Sequence, residues 1–174
     1  RYNINKNKSV NLSYNRNNNL PTLSQIQPLR QNNDPLNIVV GNESLTPARS
    51  NNYNMYYNSY DMLKNKYVYG NVGFTQTHNS IQQNVMIGDG GIRTIFYDNI
   101  EDYVNNNAYL WAGMGSNLIK KYKIEGRYGA NADFNSSYNF LNRELNKNLS
   151  SSYGLSLGIA KNTTKNVDFR WNIN

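Results

Sequence analysis

From Tyr122 to Asn135 the chain alternates between two kinds of side chain. Tyr122, Ile124, Gly126, Tyr128, Ala130, Ala132 and Phe134 take the even positions, and Lys123, Glu125, Arg127, Asn131, Asp133 and Asn135 the odd ones. A period of two held over that distance is incompatible with a helix and describes a strand with one apolar and one polar face. The run is also far longer than the five or six residues, roughly, of a typical globular strand.

The same pattern recurs along the 174 residues. Val10, Leu12 and Tyr14 alternate with Ser9, Asn11, Ser13 and Asn15; Tyr53, Met55 and Tyr57 precede a Lys cluster, and Val68, Val72 and Phe74 follow it. Ala108, Leu110, Ala112, Met114 and Leu118 form another series, as do Tyr153, Leu155, Leu157 and Ile159, and Val167, Phe169, Trp171 and Ile173. Seven strands and part of an eighth at Arg1–Ile4 are therefore expected, running antiparallel. Four connections, near residues 5–8, 61–66, 118–121 and 161–165, are short and rich in Lys. The others, 17–50, the region around Ile87–Gly91, and 139–149, are long. Asp89-Gly90-Gly91 reads as the tip of a hairpin reaching beyond the sheet, flanked by Ile81–Ile87 and Ile92–Tyr97. Thr22–Gln27 is the single expected helical turn.

Composition removes whole classes of chemistry. The absence of Cys excludes a disulfide scaffold and thiolate chemistry, and the lone His78 has no partner for a two-His metal site. The net charge of +7 does not mark a nucleic-acid protein, because nine of the ten Lys lie in the four turn clusters and not along one face. With 35 Asn and 15 Tyr, the excess of basic residues also follows from an AT-rich coding bias. Glu101 and Asp102 are adjacent, so on a strand they would point to opposite faces, and an exposed loop suits them better than a catalytic pair. Gly88–Gly91 lacks the ligands of a calcium loop and the Lys of a phosphate loop. Gly113 and Gly115 suggest close packing or curvature in a strand. No enzyme, cofactor or metal is expected.

Alternation leaves two architectures open. In a soluble or surface-exposed β-sandwich used for binding or adhesion, the apolar face is covered by a second sheet; in a transmembrane barrel it meets lipid while the polar face lines a wet lumen. Strand length, the contrast between short and long connections, and tyrosines near strand ends (Tyr14, Tyr53, Tyr122, Tyr138, Tyr153) favour the barrel. The expected fold is all-β: an antiparallel, up-and-down transmembrane β-barrel segment of about 7–8 long strands, with short Lys-rich periplasmic turns and long extracellular loops.

Residues 9–60 carry a resemblance. Ser9-Val-Asn-Leu-Ser-Tyr14 is followed by Leu20-Pro-Thr-Leu-Ser-Gln-Ile-Gln-Pro28, Asn33-Asp-Pro-Leu-Asn-Ile38 and Gly41-Asn-Glu-Ser-Leu-Thr-Pro47. This resembles the barrel portion of the Bacteroidetes outer-membrane β-barrel family related to TonB-dependent receptors, with Glu43 in place of the usual Pro and Thr46 in place of the usual Lys. The resemblance implies location in the bacterial outer membrane in contact with its lipid, uptake of a bulky solute, and an inner-membrane energy-coupling partner. It also implies that residues 1–174 are one part of a single barrel domain whose plug and remaining strands lie elsewhere. The loop at 17–50 would then stand above the lumen, where Arg16, Gln25, Gln27, Arg30 and Gln31 are the candidates to contact the solute. An equally good role for that loop is structural, with Leu20, Leu23, Ile26 and Leu36 packing it onto the barrel mouth.

Overall fold

A computed structural model describes residues 2–27, 31–34, 36–141, 144–161 and 169–173. Eight strands form one sheet: β1 (Tyr2–Asn5), β2 (Lys8–Asn19), β5 (Ala48–Asp61), β6 (Lys66–His78), β9 (Asn105–Ile119), β10 (Ile124–Leu141), β11 (Glu144–Lys161) and β12 (Phe169–Ile173). They lie side by side in that order, and every neighbouring pair is antiparallel. A second sheet, ordered β3-β4-β8-β7, is built from β3 (Gln31–Asp34), β4 (Asn37–Val39), β7 (Ser80–Ile87) and β8 (Arg93–Ile100). The expected helical turn is present as α1, Leu23–Ile26.

The large sheet has the two faces foreseen from the alternation. Register aligns Leu12, Met55, Val72, Leu110, Ala132 and Tyr153 into one continuous apolar row across six strands. The row above it runs Tyr14, Tyr53, Phe74, Ala108 and Phe134. Tyr14 and Tyr53 lie 5.0 Å apart between ring centroids, and Phe134 meets Tyr153 edge-on at 5.4 Å, so an aromatic girdle closes the apolar band. Among the described residues no second sheet covers this face: Leu155 is 76% exposed, Leu12 68% and Leu157 53%. A sandwich would have buried them. Exposed apolar surface on this scale, bounded by aromatics, is the outer wall of a membrane barrel.

The opposite face is polar and ties itself together laterally. Asn54 Nδ2 donates to Asn71 Oδ1 (2.9 Å) and to the Tyr109 hydroxyl (3.0 Å), and Thr75 Oγ1 donates to Asn52 Oδ1 (2.9 Å). Near the short-turn end, the buried Glu125 accepts from the Tyr67 hydroxyl (2.9 Å) and from Arg127 Nε (3.1 Å). Tyr109, Tyr69 and Tyr67 lie over Gly73, Gly113 and Gly115 of the adjoining strands, so the close packing expected at Gly113 and Gly115 is aromatic ring on bare backbone. Gly113→Ala places a methyl group where the Tyr69 ring lies. It is expected to cost about 1–3 kcal/mol in equilibrium unfolding, and pairing it with Tyr69→Ala should recover roughly 1 kcal/mol of the summed losses. Strict additivity would show that the ring does not depend on the glycine.

The connections differ from expectation in two places. Residues 139–141 and 144–149, expected as part of a loop at 139–149, are strand, because β10 and β11 stay paired as far as Leu141 opposite Glu144. Alternation fades there because both faces have left the hydrocarbon band, while backbone pairing continues and Asn139, Asn146 and Asn148 join it with side-chain bonds. Likewise β2 and β5 remain paired to Asn19 opposite Ala48, so the loop begins later and ends earlier than 17–50. The Lys-rich connections near 5–8, 61–66 and 118–121 are tight as expected, and the one at 161–165 lies almost wholly outside the described residues.

Candidate functional site

At the end opposite the Lys-rich turns, β3 and β4 join the β7–β8 hairpin in the second sheet, and α1 is tied to it through Gly41 and Asn42; together they are the upper body. The hairpin tip is where Gly88–Gly91 was expected to be: Gly90 and Gly91 adopt φ of 79° and 77°, the left-handed conformation that Gly takes without strain. β4 pairs with β8 in parallel, Ile38 beside Thr94, and flanking bonds run from Arg93 N to Leu36 O (2.8 Å) and Val40 N to Ile95 O (2.9 Å). At the β3–β4 turn, Asp34 accepts from Asn37 Nδ2 (2.7 Å) and Leu36 N (2.9 Å), and these bonds hold its carboxyl below the usual carboxylate range.

The segment Gly41–Pro47 is the fastener. Asn42 Nδ2 donates to Tyr97 O (2.9 Å) and Asp98 Oδ1 (3.2 Å), while its Oδ1 accepts from Ser44 N (3.0 Å) and Ser44 Oγ (2.6 Å). Asn99 clasps the other end, accepting from Thr46 N (2.8 Å) and donating to Thr46 O (2.9 Å) and Asn79 O (3.1 Å). Asn79 in turn donates to Thr46 Oγ1 (2.7 Å) and Pro47 O (3.1 Å). Gly41 sits directly on the backbone of Gln27, leaving no room for a Cβ. A cleft of about 500 Å³ opens beside the fastener, lined by Asn42, Glu43, Ser44, Phe96, Tyr97 and Asp98.

Leucine packing does not seat this body, contrary to the structural reading of the loop. Leu20 (73%), Leu23 (70%) and Leu36 (56%) are exposed and Ile26 is half-buried, while the buried apolar residues of this region are Ile38, Leu45, Ala48 and Ile100. Asparagine side chains bonding to backbone do the fastening, which hydrophobicity does not reveal.

The sequence candidates fall into separate places. Gln25 spends its side-chain oxygen on capping α1, accepting from Thr22 N at 2.8 Å, and its carbonyl accepts from Asn42 N at 2.7 Å. Gln27 ends α1 with its N–H on Leu23 O (2.9 Å) and backs Gly41. Gln31 begins β3, its side chain outside the described part, and Arg30 lies outside the described residues altogether. Arg16 is on β2 itself, on the same face as Leu12 and Tyr14, in a different cleft with Arg49, His78 and Glu101. Glu101 and Asp102 are exposed between β8 and β9, as expected, and His78 ends β6. The cleft at Glu43, Phe96 and Asp98 was not foreseen, since it exists only through the pairing of β4 with β8.

Neither a curated protein nor a solved structure matches the chain. A family model does match, over residues 1–174, and its description agrees with the exposed apolar band, the aromatic girdle and the antiparallel sheet. The chain belongs to the outer membrane protein beta-barrel family, and its place is the bacterial outer membrane.

Proposed function

We propose that the chain is part of the wall and mouth of an outer-membrane receptor that takes up a bulky solute, such as a chelated metal, a glycan or a peptide, in the manner of TonB-dependent receptors. The observation that carries this reading is how the inward face is built. An eight-stranded barrel has an interior just wide enough for its side chains to fill. Here the inward rings of Tyr67, Tyr69 and Tyr109 are laid over glycines, and the amides bond sideways to one another, so the side chains follow the wall. Such a surface suits a wide, wet lumen. β1 and β12 are also unpaired with each other among the described residues, as expected if further strands complete a wider barrel.

The upper body supplies the recognition surface. The cleft beside Glu43, Ser44, Phe96 and Asp98 offers an aromatic ring among hydrogen-bonding groups, the combination that suits a polar, multidentate solute. Transport of this kind asks for no catalytic residue; it asks for selective binding, then release driven by an inner-membrane energy-coupling partner. The test compares a deletion strain with its complemented parent for accumulation of labelled chelates, oligosaccharides and peptides, with and without a protonophore. Accumulation of at least one solute should need both the gene and the proton gradient. Equal accumulation in the deletion strain, or indifference to the protonophore, would count against the reading.

A further inference from the structure

Above the aromatic girdle, the lipid-facing strand positions carry charge of one sign. Continuing the outward positions upward gives Arg16 and Asn18 on β2, Asn51 and Arg49 on β5, Gln76 and His78 on β6, Ser136 and Tyr138 on β10, and Leu149 and Lys147 on β11. Three of these are Arg or Lys and none is acidic. Arg49 is in register with Asn18 on one side and His78 on the other. Lys147 Nζ stands 5.7 Å from the ring centre of Tyr138. Arg16, Arg49 and His78 converge on a cleft of about 460 Å³, with Asn51, Asn79 and Glu101 also on its rim. Among the described residues the one ion pair is Arg127 with Glu125, so neither guanidinium here is neutralised by a protein carboxylate within bonding distance.

We propose that this cleft binds the phosphate of an outer-leaflet lipid headgroup. The height is right, because the row immediately below is the girdle of Tyr14, Tyr53 and Phe74, and aromatic girdles mark the boundary between acyl chains and headgroups. The chemistry is right, because a planar guanidinium gives a phosphate two parallel donors, and two guanidiniums on adjacent strands can bracket one group. The apolar wall below, Leu12, Met55 and Val72, takes the acyl chains of the same molecule. Glu101 sits on the rim and opposes the phosphate, which makes it a tuning group. The bound lipid would brace β2, β5 and β6 at the level where the upper body is fastened.

The experiment uses the full-length protein, purified in a zwitterionic detergent and titrated with mixed micelles. One micelle carries phosphatidic acid, a second carries diacylglycerol, which has the same acyl chains and no phosphate, and inorganic phosphate is added alone in a third series; bound lipid is counted by native mass spectrometry. Phosphatidic acid should bind preferentially, and Arg16→Gln with Arg49→Gln should weaken it at least about tenfold, in line with the loss of two charge-assisted pairs. Glu101→Gln, which removes no basic group, should tighten it about two- to threefold and so provides an independent readout if the double variant folds poorly. Unchanged binding in both variants, equal retention of the two lipids, or occupancy by inorganic phosphate at the same concentrations would overturn the proposal.

Discussion

Leu12→Arg is expected to lose about 1–3 kcal/mol of folding stability in a bilayer, between the midplane and interface costs, while Ser13→Arg, one residue along, loses less than about 1 kcal/mol. Both positions are on β2 and both are exposed to their surroundings. The difference comes from what surrounds them. Leu12 lies in the row with Met55, Val72 and Leu110, two residues below the Tyr14 girdle, where a guanidinium has neither water nor a counter-charge. Ser13 faces Asn54 across the polar side, where an added Arg remains hydrated. Equilibrium unfolding in urea from lipid vesicles, with the full-length protein, measures both. Equal costs would mean that the two faces meet the same medium, and the assignment of lipid and lumen would fail.

Asn42→Ala is the second large effect, and it should be local. The side chain makes four hydrogen bonds, two to β8 and two to Ser44. At roughly 1 kcal/mol each, less what water recovers, about 2–4 kcal/mol of the closure of the upper body is lost. Amide exchange in residues 36–47 and 93–100 should therefore accelerate by roughly 30- to 900-fold, with the paired amides of β9 and β10 unchanged. Acceleration throughout the large sheet would show that this segment supports the barrel and not its cover.

The strands of the large sheet were legible because a membrane gives the two faces of a strand opposite solvents. Every position from Ile124, where β10 begins after a turn through Tyr122 and Lys123, to Phe134 then faces one medium or the other, and a slip of one residue would turn Glu125, Arg127 and Asp133 into lipid. Where both faces meet water the signal disappears. That is why Asn139–Leu149 reads as a loop although β10 and β11 are paired there as far as Leu141 opposite Glu144. The tight turns were legible too, since Lys and Asn collect where the chain emerges from the apolar band.

The upper body was hidden for another reason. Its central contact, Ile38 beside Thr94, joins segments more than fifty residues apart in parallel, and no local periodicity encodes such a pairing. The motif at Gly41–Pro47 could be recognised from the residues, but its work could not: Asn42, Asn79 and Asn99 are three among 35 asparagines until the fold brings them to the same few carbonyls. Arg16 shows the same limit, since its position at the end of an alternating run says which face it shares, while its convergence with Arg49 and His78 depends on three strands meeting in register. Which way each strand faces is written in a period of two, because solvent acts on every residue separately. Which distant polar groups meet is set by register and chain reversal, because a hydrogen bond needs both of its ends in place.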